Sequence, residues 1–151
     1  LVRVHETKGL IGLIFDERVL AGGKKVKSLR AHLDGRAGLR NPFRKYKHPE
    51  ACACLLADQI QHIVTTIYQS NTTVDKAAAW DCICLGSDFD GQINPLDSFG
   101  RSTDFPRLRK ALATVLAEKR FTPLLQGLTV AEVLDKICFQ NVVAFLKRNL
   151  K

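Results

Sequence analysis

The chain has 151 residues, of which 46% are hydrophobic and 25% charged, the composition of one globular domain rather than of a disordered tail or a collagen-like fibre. Its longest apolar stretch, Leu10 to Phe15 with one glycine inside it, is too short to cross a bilayer, and no charged-then-apolar leader is visible at its start. The net charge of +8 is local: between Gly22 and Lys47, Lys24, Lys25, Lys27, Arg30, Arg36, Arg40, Arg44, Lys45 and Lys47 are opposed only by Asp34, and the rest of the chain is neutral. Such a segment attracts phosphates or anionic surfaces, although a solvated loop is its plainer reading.

In chain order, Leu1 to Lys8 reads as the end of an element broken by Gly9. Leu10–Phe15 follows as a strand apolar on both faces, as in a covered parallel sheet, with Asp16 just beyond it. Residues 17–49 read as a long connection or insertion, holding at most a short helix over Val26 to Leu33. Pro49 and Glu50 open a helix whose Cys52, Leu55, Leu56, Ile60, Ile63, Val64 and Ile67 form one apolar stripe. On it, Asp58 and His62 are four apart and read as an exposed carboxylate–imidazole pair. Ser70 to Ala79 is turn-like. Cys82–Leu85 is a second short strand, and the acidic loop Ser87-Asp88-Phe89-Asp90-Gly91 follows it and runs on to Asp97. Thr103 or Asp104 caps the next helix, with Pro106 in its first turn. Thr129 and Glu132 have capping-box spacing and open the final helical region. The order is an α/β alternation in a single domain.

Five cysteines (Cys52, Cys54, Cys82, Cys84 and Cys138) argue against a closed disulfide framework. The expectation that follows is a reducing, cytoplasmic-type compartment. The two C-x-C pairs are too tightly spaced for an ordinary zinc cluster. On a helix, Cys52 and Cys54 point about 200° apart, so the cysteines are read as packing residues.

The loop after the second strand carries the chemistry. As a calcium loop it fails at its strictest places: Gly86 stands where the first carboxylate belongs, and Pro95 and Asp97 fill the tenth and twelfth positions. As the C-terminal end of a parallel barrel strand it fits better, since those ends form the active-site face. A carboxylate there can take and return a proton during hydrolysis, and neighbouring glycines let the backbone turn sharply.

Leu85-Gly86-Ser87-Asp88-Phe89-Asp90-Gly91 closely resembles the last-strand signature of the membrane (renal) dipeptidase family, zinc metallopeptidases of the amidohydrolase superfamily. Ala57 to Ile63 is similar to that family's preceding helix, with glutamines where its members tend to have histidine and aspartate. Gly9 to Phe15 is similar to the preceding strand. Asp104 to Leu108, and Gly127 through Asn141, are similar to its two closing helices. The likeness leaves out residues 17–49 and 70–79. It implies the C-terminal part of a (β/α)8 TIM-type barrel, with its last two strands and closing helices, in an enzyme that hydrolyses dipeptides with two zinc ions.

The resemblance makes Asp88 the catalytic acid/base; Asp90 and Gly91, which match the same motif, are assigned to loop shaping or to the substrate pocket, and Asp16, just past the first strand, is a further pocket candidate. It assigns no metal ligand here, because His5, His32, His48 and His62 lie outside any strand-end context and the zinc ligands belong to sequence upstream of Leu1. A barrel takes about 250 residues, and only two strands are legible. Phe139-Gln140 also replaces the family's small residues. The expected partner is a dipeptide substrate, with neither DNA nor a membrane segment, and association between copies would cover the exposed strand surfaces. The competing expectation is a non-catalytic binding domain that uses residues 24–47 for nucleic acid or anionic surfaces.

Overall fold

The computed structural model of the chain describes residues 1–70, 75–89 and 95–150. Two three-residue strands, β1 (Ile11–Leu13) and β2 (Ile83–Leu85), lie side by side and parallel, with Gly12 opposite Cys84. Parallel neighbours need a long crossover. Here it contains α2 (Glu17–Leu20), α3 (Gly23–Leu33) and α4 (His48–Gln69), followed beyond Asp75 by a 3-10 segment, Lys76–Cys82. After β2 come α5 (Phe105–Leu116), α6 (Thr122–Leu125), α7 (Val130–Asp135) and α8 (Asn141–Asn149). Leu1 to Lys8, which alternates weakly in sequence, forms a short helix, α1 (Val2–Glu6).

α4 is the spine. Its first half is buried on every side from Ala51 to Ala57, and only its second half returns to the stripe of Ile60, Ile63, Val64 and Ile67 that the sequence suggests throughout. Alanine and cysteine at 51–54 are small enough for neighbouring elements to close around the helix. Trp80 is fully buried and donates its Nε1–H to the Leu124 carbonyl at 2.8 Å. The Tyr68 hydroxyl donates to the same oxygen at 2.5 Å. No helix of the described residues is long and apolar enough to cross a membrane.

The insertion is not a solvated loop. Val26, Leu29 and Leu33 recur at helical spacing along α3 and pack on the core, and Leu29 is fully buried. Phe43 plugs the core further on. Asn41 fixes its entry by accepting the Phe43 N–H at 2.9 Å and donating to the Ser28 carbonyl at 2.7 Å. Several basic residues of the segment meet acids. Lys25 pairs with Asp58, Arg30 with Glu17 and Asp97, Arg36 with Asp34, and Lys45 with Glu118. Asp58 is therefore not an exposed partner of His62: it is held between Lys25 and Arg120, with 22% of its side chain exposed.

The strands are also shorter than expected. Gly12 is exposed and Ile11 half-buried, so β1 is covered on one face only within the described residues. Thr129 and Glu132 do form the capping box, with the Glu132 N–H reaching Thr129 Oγ1 at 3.2 Å and Glu132 Oε2 accepting the Thr129 N–H at 2.7 Å. By contrast, the Asp104 carboxylate does not cap α5. Its Oδ2 accepts the N–H groups of Gly100 and Arg101 instead. One wider π turn, Lys136–Gln140, joins α7 to α8. It contains the Phe139-Gln140 pair, and Phe139 points into solvent at 63% exposure.

Two predictions follow from this packing. Asn141 is buried and donates Nδ2 to the carbonyls of Trp80 (2.7 Å) and Ile83 (2.8 Å), clasping the entry to β2. Asn141→Leu keeps the volume but strands both acceptors, and should lower the unfolding free energy in urea by about 2–3 kcal/mol. The second concerns acid. Burial works to raise the Glu118 carboxyl, but Lys45, Tyr46 and Arg120 outweigh it and hold the group below its ordinary 4.5. A depressed carboxyl contributes stability above its unfolded value, and that contribution is lost as pH falls through the folded one. Thermal midpoints taken from pH 6 down to 3 should therefore fall more steeply in the native chain than in Glu118→Gln.

Candidate functional site

Parallel pairing brings the C-terminal ends of β1 and β2 to one edge of the molecule. The ladder continues past both strands, since the Gly86 N–H donates to the Leu13 carbonyl at 3.0 Å and the Leu96 N–H to the Phe15 carbonyl at 2.9 Å. A bridge between Asp16 and Pro95 closes the acidic loop back onto the end of β1. Phe15 is fully buried and meets the Phe89 ring edge-on, with centroids 5.4 Å apart. That contact fixes the loop carrying Asp88 against the other strand end.

Asp88 stands three residues beyond β2 and is exposed at this rim. The sharp turn is made by Asp88 itself, at φ 52°, rather than by Gly86. A left-handed backbone is uncommon for a residue with a side chain, and aspartate is among the few that tolerate it. Its carboxylate makes no hydrogen bond or ion pair with the described residues, which leaves it free to exchange a proton with whatever occupies the rim.

Asp16, the other acid expected here, is differently employed. It is 4% exposed, caps α2 by accepting the Arg18 N–H at 2.8 Å, and pairs with the Arg18 guanidinium at 2.6 Å. This pairing raises the Arg18 pKa. Asp16 thus shapes the end of β1. Asp90 and Gly91, the other pocket residues expected from sequence, lie outside the described residues.

Three further residues, none of them expected in this site from the sequence, complete the rim. Glu17, buried beside Asp16, accepts from Arg30 Nη2 at 2.6 Å and Nε at 3.1 Å. Arg30 also donates to Asp97 Oδ2 at 2.6 Å. One guanidinium on α3 therefore ties the end of β1 to the loop returning from β2, and the hydrogen bond to Glu17 raises its pKa. The only signal in the sequence is Glu17 following Asp16. Separations of 13 and 67 residues hide the rest.

The metal the resemblance implies finds no set of ligands among the described residues: no group of three or more of their His, Cys, Asp or Glu side chains converges on one point. The cysteines are free, and four of the five are buried. A cavity of about 590 Å3 lies at the opposite, N-terminal ends of the strands, lined by His5, Lys8, Asp81, Lys136, Asn141 and Arg148 among others. It is a separate feature from the Asp88 rim.

Arg30→Met should cost about 1–3 kcal/mol in urea unfolding, because Glu17 loses its cation while staying buried. Adding Glu17→Gln should recover part of that loss. Additive effects of the two substitutions would show that the pair is not coupled. Compared with known proteins, the chain matches no family model, no curated protein and no solved structure.

Proposed function

We propose that the chain is the C-terminal part of a dipeptide-hydrolysing (β/α)8 barrel in which Asp88 is the general acid/base. The observation that carries this reading is Asp88 just past the C-terminal end of β2, beside a parallel partner, with a carboxylate that no described residue engages. Active sites of parallel barrels are assembled at that end of the strands.

In this role Asp88 takes a proton from the attacking water and returns it to the departing amine of the dipeptide. Its left-handed backbone and the Phe15–Phe89 contact hold the carboxylate at the rim. Glu17 acts indirectly, through Arg30, by tying the two loop bases together, and Asp16 shapes the end of β1 by capping α2. In the family resembled, two zinc ions activate the water. The described residues offer no set of ligands for them, so no step is derived through the metal, and its holders are assigned to other parts of the enzyme.

The competing reading as an anion-binding domain rests on Lys24, Lys27, Arg40, Arg44 and Lys47, which are exposed and make no ion pair with described residues. Phosphate contacts through these residues would weaken steeply as salt rises, whereas hydrolysis at Asp88 would not.

In the whole encoded protein, Asp88→Asn should lower kcat for dipeptide hydrolysis by about 10²–10⁴-fold while leaving thermal unfolding unchanged within error. Retention of turnover in the Asn variant would remove Asp88 from the chemistry.

A further inference from the structure

A second cavity, of about 320 Å3, is lined by residues of α3, α4, the 42–46 segment and the turn after α5. Its polar groups are Lys25, Lys45, Tyr46, Asp58, Glu118 and Arg120, and Cys54 forms part of its wall. The carboxylate oxygens are all engaged. Asp58 accepts from Arg120 Nη1 at 2.6 Å on one oxygen and from Lys25 on the other. Glu118 Oε1 accepts from Lys45 at 2.8 Å and from the Tyr46 hydroxyl at 2.6 Å, and Oε2 accepts from Arg120 Nε at 3.0 Å.

The donors are in surplus. An ammonium carries three N–H groups, and Lys25 and Lys45 each give only one to a carboxylate. Three cations against two acids leave the lining positive by one charge. A concave wall with spare donors, satisfied acceptors and net positive charge attracts small anions.

Cys54 adds a nucleophile to that wall. Arg120 Nη2 donates to its Sγ at 3.3 Å, and Lys25 and Tyr46 line the same space. A cysteine reacts through its thiolate, and an anionic electrophile drawn to these cations is brought up against Sγ. Burial pushes up the thiols of Cys52, Cys84, Cys138 and Cys82, the last to about 11. Cys138 is the fair comparison, because Arg109 partly offsets its burial but it does not line this cavity.

We propose that this cavity is a site for small carboxylate- or phosphate-bearing molecules, and that an electrophilic member of that class seated there is captured by Cys54. With an α-halocarboxylate, the thiol proton goes to solvent and the thiolate lone pair forms the S–C bond. The carbon–halogen bond breaks, and halide leaves with its electron pair.

The test treats the chain at low ionic strength with iodoacetate or with its neutral analogue iodoacetamide. Alkylation at each of the five cysteines is followed by peptide mass spectrometry. The ratio of iodoacetate to iodoacetamide rates at Cys54 should exceed that at Cys138 by about fivefold or more. Inorganic phosphate should slow the iodoacetate reaction at Cys54 alone, and in urea the preference should vanish. Lys45→Gln removes a rim charge that is 62% exposed, so the fold should survive, as thermal unfolding will check, and the ratio should fall severalfold. A Cys54 ratio no higher than that of Cys138, or a Cys54 that stays unlabelled by both reagents while Cys138 reacts, overturns the proposal. An unchanged ratio in Lys45→Gln overturns the electrostatic basis claimed for it.

Discussion

The Gly12–Cys84 register of the β1–β2 ladder decides which side chains share an end of the molecule. Because the strands run in the same direction, everything just past Leu13 and Leu85 meets at one rim, and everything just before Ile11 and Ile83 meets at the other. Asp16, Glu17 and Asp88 fall on the first side, and the cavity around His5 and Asp81 on the second. An antiparallel pairing of the same residues would have sent Asp16 and Asp88 to opposite ends. The ladder is short, and it is held from outside: Asn141 clasps the backbone entering β2, and Trp80 wedges beneath it against the Leu124 carbonyl.

The basic segment shows how a charge-rich stretch can be structural. Leu29 and Phe43 bury apolar surface, worth about 1.5–3 kcal/mol for each fully buried side chain. Exposed ion pairs contribute much less. The ion pairs of the segment matter for geometry instead. Arg30 reaches a buried acid at one strand end and an exposed one on the other loop, so α3 sets the spacing between the two loop bases. Lys25 and Lys45 play the same part around Asp58 and Glu118. The charges of 24–47 therefore divide into a set turned inward on acids and a set left facing solvent.

The two acids expected at the rim have parted in role for a physical reason. Asp16 is followed at once by a helix, whose first N–H groups need acceptors, and its carboxylate is taken up by that need and by Arg18. Asp88 is followed by no such helix start within the described residues and turns left-handed into solvent. Two aspartates, each just past a strand, thus become one structural and one available carboxylate.

The spacing of apolar residues along the sequence determined the existence of α4, the two strands, their acidic loop and the capping box at Thr129, because each depends on neighbours within a few residues. The tertiary structure alone decided that the short helix legible at Val26–Leu33 begins at Gly23 and packs on the core, and it decided the all-round burial of Ala51–Ala57, the tie from Arg30 to both loops, and the gathering of Lys25, Lys45 and Arg120 around the cavity that Cys54 lines. These rest on contacts between residues tens of positions apart, and no local periodicity encodes which charge a folded chain will bring to which.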